Sequence, residues 1–219
     1  MRKPRVMRKG NTLMKSVLLR NNPLFLRNTF QEEGRWGIPV IKRQELPLDN
    51  LRILSYNNTA KKANPLQKQF GVHFFVDDQR FEQVYNFPER SYKRLSQYKF
   101  LLTPDFSLYR EMSPWQRING IGRSRWCGAF WQSKGSIVIP TISWSTAESF
   151  DYAFDGIEQH SIVAIGMIGC KNSKRTFLDG FFAMKEKIQP SHIICIGNPF
   201  AEMKSSNLSV IDYANSWRG

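Results

Sequence analysis

The sequence holds 219 residues, with 32 Lys+Arg against 18 Asp+Glu and a formal net charge of +14. At 41% hydrophobic and 13% aromatic it has apolar mass for one core and a short appendage, which argues against disorder. Three cysteines do not make a disulfide scaffold, and no apolar run nears the ~20 residues that span a bilayer, so a cytoplasmic protein is expected.

The charge is concentrated at the front. Residues 1–70 carry 15 Lys+Arg and 4 acids, whereas residues 71–219 carry 17 and 14. Arg2, Lys3, Arg5, Arg8, Lys9, Lys15, Arg20 and Arg27 all precede the first acid, Glu32. The division expected is a basic arm over 1–33 and a single α/β domain over 34–219. A secretory signal is rejected because Lys15, Ser16 and Arg20 break the apolar stretch. Three readings stay open. Leu13, Met14, Val17 and Leu18 fall at helical spacing, which suits an anionic membrane surface or a groove on another protein chain. A cationic arm would instead track a nucleic-acid backbone, gaining affinity from released counterions through those eight basic residues. A solvated tail that aids solubility is the third.

Beyond the arm, compact structure begins at Trp36, with candidate strands at 38–41 and 51–56 and a polar loop at 57–68. Further apolar strand runs stand at 72–76, 100–102, 137–142, 162–168, 192–196 and 208–211. Helices lie between most of them. Ser113-Pro114-Trp115-Gln116 has the form of a capping box, and Ser145-Thr146-Ala147-Glu148 repeats it. Phe177, Gly180, Phe181, Met184 and Ile188 trace one helical face that Pro190 closes. Gly156 reads as a C-cap, and Asn198-Pro199 as the opening of a short last helix. Repeated βα units imply a mainly parallel sheet with right-handed crossovers. With eight strands available, an incomplete or distorted TIM-like barrel is favoured over an open doubly wound sheet.

Parallel α/β folds place their chemistry at the carboxyl ends of the strands. Those positions hold Asp77, Asp78, Asp105, Trp144, Cys170 and Asn198. Asp77, Asp78 and Asp105 are the candidate catalytic groups, because carboxylates on strands ~4.8 Å apart can share a proton or hold a divalent metal. Asp78 would equally serve as a helix N-cap, and Asn198 as a cap for the last helix. Trp144 would be a stacking platform or an aromatic lid over the core. Cys170 precedes a helix N-terminus, a setting that lowers a thiol pKa, yet no histidine is placed beside it. His73 and His192 sit in apolar strand runs and read as packed. The cysteines show no zinc spacing, and no phosphate-loop motif is present.

Read in series, several segments form a recognisable pattern. They are Trp36-Gly37-Ile38-Pro39, Gly71-Val72-His73-Phe74-Phe75-Val76-Asp77-Asp78 with Arg80-Phe81-Glu82, and Thr103-Pro104-Asp105-Phe106-Ser107-Leu108-Tyr109. Gly128-Ala129-Phe130-Trp131-Gln132, Val138-Ile139-Pro140-Thr141 with Trp144, and Phe154-Asp155-Gly156-Ile157 continue it. Over residues 34–197 the chain resembles domain-of-unknown-function family 4417, found in bacteria, their phages and mobile elements. The resemblance implies a shared α/β domain and a mobile-element setting in which DNA or RNA is a common partner. It brings no activity with it. A nucleic-acid-associated protein is therefore the first expectation. A hydrolase or glycosyl-transfer enzyme built on Asp78 and Asp105 is the second, and a structural or adaptor protein the third.

Overall fold

A computed structural model describes residues 16–216. Arg2, Lys3, Arg5, Arg8, Lys9 and Lys15 lie outside the described residues, whereas Arg20 and Arg27 lie within them. The chain divides into two compact units at the Phe30–Gln31 junction. In the first, α1 (Ser16–Arg20) and α2 (Pro23–Leu26) are short helices. Asn22 starts α2 by accepting the Leu24 amide at 2.9 Å, with Pro23 at the first helical position. Arg27 ends it in the left-handed conformation, at φ 61°.

The second unit opens with an antiparallel hairpin, β1 (Glu32–Glu33) and β2 (Ile38–Pro39). Then follow β3 (Ile53–Ser55), β4 (Gly71–His73), α3 (Asp78–Phe81), α4 (Gln83–Asn86), α5 (Pro88–Leu95) and β5 (Phe100–Leu102). The chain continues through α6 (Pro114–Ser133), β6 (Val138–Ile139), α7 (Phe150–Ala153) and β7 (Ile162–Gly166). It ends with α8 (Lys174–Ile188), β8 (His192–Ile196), β9 (Leu208–Ile211) and α9 (Tyr213–Ser216).

β3, β4, β5 and β6 form one parallel sheet and β7, β8 and β9 another, each in chain order. A single parallel bridge, Thr141 to Ala164, links the two. There the Ile142 amide donates to Ala164 O at 2.8 Å, and the Ala164 amide to Pro140 O at 2.9 Å. The mainly parallel α/β arrangement expected is present, and among the described residues the strands do not close into a barrel. The candidate strand at 38–41 also behaves differently. Ile38–Pro39 pairs with β1 instead of joining a parallel sheet, and Ile41 bridges to Ile157. Ile41 packs on α6, whose Gly128 lies so close that an added Cβ would stand 2.5 Å from Ile41 Cδ1. The hairpin covers that helix.

One apolar cluster runs through both sheets, from Ile53 and Phe100 through Ile139 and Ala164 to Ile194. Side chains on each strand alternate, so one face of β3, β5, β6, β7 and β8 feeds this cluster. Two glycines make room for its rings. A methyl group on Gly71 would run into Phe100, and one on Gly166 into Phe75. No helix among the described residues is long and apolar enough to cross a membrane.

The helix signals hold in part. The Ser113 amide donates to Gln116 Oε1 at 3.1 Å and Pro114 opens α6, as a capping box requires. At 145–148 the pattern yields a 3₁₀ turn, Ala147–Ser149, and α7 starts only at Phe150. Ser149 Oγ takes the Ser145 amide at 2.9 Å there, which supplants the expected cap.

Arg125 on α6 is fully buried. Its guanidinium donates to Thr141 O and Ala153 O, both at 2.9 Å, and to Asp155 O at 3.3 Å. Burial draws its pKa down to about 10, and the carboxylates of Asp155 and Asp105 oppose that shift. It stays charged at neutral pH. Replacing it orphans three buried carbonyl groups, each costing about 1–3 kcal/mol. Arg125→Met is expected to lose about 3–5 kcal/mol of stability by urea denaturation.

Candidate functional site

A cleft of about 600 Å³ opens at the carboxyl ends of β4, β5, β6 and β7. Its walls come from 75–77 after β4, 105–111 after β5, 142–145 after β6 and the turn that follows β7. Asp77, Asp105, Trp144 and Cys170 all line it. Asp78 and Asn198 do not.

Asp105 is partly buried in the wall, and the Ser143 hydroxyl donates to its Oδ1. Loss of solvent pushes its pKa up to about 6. Ser143 opposes that shift, Asp78 adds to it, and Arg125 opposes it again. A carboxyl group that titrates near neutrality is available both as acid and as base.

Asp78 acts on the loop that carries Asp105. Its carboxylate accepts the Ser107 amide at 3.1 Å and the Ser107 hydroxyl at 2.9 Å. It is the first residue of α3, while Asp77 holds the N-cap position without a side-chain cap bond. Asp77 stands on the rim, its side chain 84% exposed, and pairs with Arg80 at 3.4 Å. Trp144 lies against α8, where Gly180 leaves room for the indole. Phe177 and Phe154 flank it with ring centres 4.9 and 6.3 Å away.

Two expectations are corrected. The Cys170 thiol is not acidified: burial pushes its pKa up to about 11, and the Asp105 charge adds to the shift. α8 begins only at Lys174, and a helix dipole fades within its first turn, so desolvation wins. The short helix after β8 does not start at Asn198. It is a 3₁₀ turn, Ala201–Met203, with Phe200 at the N-cap, and Asn198 is exposed. His73 is packed as expected, its pKa drawn down by burial to about 4.

Ser143 and Ser107 complete the site, and both flank residues that the strand-end rule selects. Arg110 also lines the cleft and donates to Thr176 Oγ1 at 2.8 Å. Nothing in its local sequence marked it, because the contact spans 66 positions. No group of three or more His, Cys, Asp or Glu able to hold a metal occurs among the described residues.

Residues 30–214 match the family described as Domain of unknown function (DUF4417). The chain belongs to that family. This DUF4417 protein is 37% identical over 179 residues to the Gene 1 protein of Mycobacterium phage L5, covering 80% of this chain and 76% of the phage protein. The Gene 1 protein of Mycobacterium phage D29 is 37% identical over 177 residues, covering 80% of this chain and 65% of that protein. No solved structure matches the chain. Relatives in phages agree with the setting that the resemblance implied.

The Asp105 pKa has a measurable consequence. With a folded value near 6 and an ordinary value of 3.8, the native state binds more protons than the unfolded state between those pH values. Asp105 therefore costs stability as pH rises through that window. Asp105→Asn keeps an acceptor for Ser143 and removes the cost. The variant's advantage in urea melts is expected to grow from near zero at pH ~4 to about 2–3 kcal/mol at pH ~7.

Proposed function

We propose that this DUF4417 domain is an acid–base enzyme of the hydrolase or glycosyl-transfer class, with Asp105 as the proton-transferring group. One observation carries the reading: a carboxyl group with a pKa of about 6 in the wall of a 600 Å³ cleft at parallel strand ends. In this reading Ser143 orients Asp105, and Asp78 positions it by holding the Ser107 backbone. Trp144 supplies a flat apolar wall for the substrate, and Asp77 with Arg80 supplies polar contacts at the rim. The fold is compatible with it, since the cleft lies at the carboxyl ends of parallel strands. Screened on ester, amide, glycoside and phosphodiester substrates, the protein is expected to show a turnover whose pH profile inflects near 6. Asp105→Asn is expected to lower that kcat by about 10²–10⁴-fold, with the fold intact by circular dichroism. Full turnover by the variant would refute the role.

A second reading concerns the arm. Eight basic residues and no acid stand within residues 1–30, and only a net +3 belongs to 71–219. That asymmetry favours a polyanion partner for the arm, and in a phage setting nucleic acid is the natural one. Binding to an oligonucleotide is expected to weaken steeply as salt rises, with a slope near −0.9 per phosphate neutralised. Deleting residues 1–30 should flatten the slope, and an unchanged slope would end the reading.

A further inference from the structure

A second concavity, of about 550 Å³, shares no lining residue with the cleft. Its lining comes from the start of α6, with Trp115, Arg117 and Ile118, and from Glu148, Asp151 and Tyr152 around α7. The hairpin turn adds Arg35 and Trp36.

Three features set the notch apart. Two indoles stand on it in water, Trp115 at 68% exposure and Trp36 at 45%. Exposed tryptophans cost apolar hydration, and two lining one concavity form a platform for a flat face. Beneath this apolar rim, two buried polar groups lack partners. Arg117 and Tyr152 are each 4% exposed, yet Arg117 Nε and the Tyr152 hydroxyl make no hydrogen bond among the described residues. An unmet buried polar group is destabilising, so a ligand that supplies the partner recovers that loss. The third feature is charge. Arg35 pairs with Asp151 at 3.3 Å, and Arg117 stands 3.8 Å from Glu148, so two cations meet two carboxylates.

That balance selects the ligand class. A phosphate backbone would meet Glu148 and Asp151, which are 82% and 68% exposed and repel it. A sugar ring fits instead. Its C–H face packs on an indole, and each hydroxyl both donates to a carboxylate and accepts from a guanidinium or phenol. We infer that this notch is a binding site for a neutral sugar ring, formed by Trp36 and Trp115 over Arg117 and Tyr152.

The hydroxyl and Nε are sealed from solvent, so a ligand reaches them by shifting a rim side chain. This binding does not depend on Asp105 being catalytic.

The full chain is titrated by calorimetry with linear pentasaccharides of β-1,4-glucose, β-1,4-N-acetylglucosamine and α-1,4-glucose. Oligothymidylate is the charged comparator. One or more pentasaccharides are expected to bind with one-site saturation and unchanged affinity at low and high salt. Trp115→Ala should weaken that binding about tenfold with unchanged thermal melting, and Tyr152→Phe about threefold with thermal melting unchanged or raised. Asp105→Asn should bind as the native protein does, which separates this site from the proposed catalysis. Binding of no pentasaccharide, equal binding by Trp115→Ala, or displacement of the sugar by oligothymidylate would each overturn the assignment.

Discussion

The buried Arg125 guanidinium is the contact on which the rest of the domain is arranged. It holds the carbonyls of Thr141, Ala153 and Asp155, one beyond β6 and two around the end of α7. Next to it, Thr141 and Thr103 exchange two bonds: the Thr141 amide donates to Thr103 Oγ1 at 2.9 Å, and its hydroxyl to Thr103 O at 2.7 Å. Ser124, the neighbour of Arg125 on α6, donates to the same Thr103 hydroxyl at 3.1 Å. This net sets the register of the two strand ends. Two residues past Thr103 and Thr141 stand Asp105 and Ser143, whose side chains then meet. The cleft chemistry is thus built from a polar core two residues below it.

The same centre ties in the outer elements. Asp155, 4% exposed, binds Lys187 of α8 at 2.6 Å. The next amide, Gly156 N, donates to Glu33 Oε2 of the hairpin at 2.7 Å. Gly34 packs so closely on the Asp155 carboxylate that no side chain fits there. Gly156 itself needs its positive φ of 74°, with Pro39 O directly opposite the missing Cβ. Asp155 and Gly156 belong to the segments by which the family is recognisable, and their contacts here are structural.

Burial, not net charge, governs the titrating groups of the cleft. The chain carries +14 overall, yet Asp105 has its pKa raised, because solvent loss outweighs the help from Arg125. Cys170 follows the same rule. Several features were readable in advance: the Ser113–Gln116 cap, the α8 face ending before Pro190, and the strand-end position of Asp105 all rest on neighbours within a few residues. Asp78 was legible as a polar group at a helix start, but its partner Ser107 lies 29 positions on. Arg117 and Tyr152, which line the second concavity, were marked by no motif, because their burial depends on packing between distant elements.

The sequence by itself determined that basicity belongs to the first 30 residues, that βα units alternate, and that carboxylates end the strands, since charge and periodicity are local properties. Tertiary structure alone decided that β2 pairs backward with β1, that Cys170 stays protonated, and that Asp105 and Ser143 meet while Asn198 stands apart. Those outcomes depend on which distant groups exclude water from one another. That exclusion exists only once Arg125 and its carbonyl partners have brought the strand ends together.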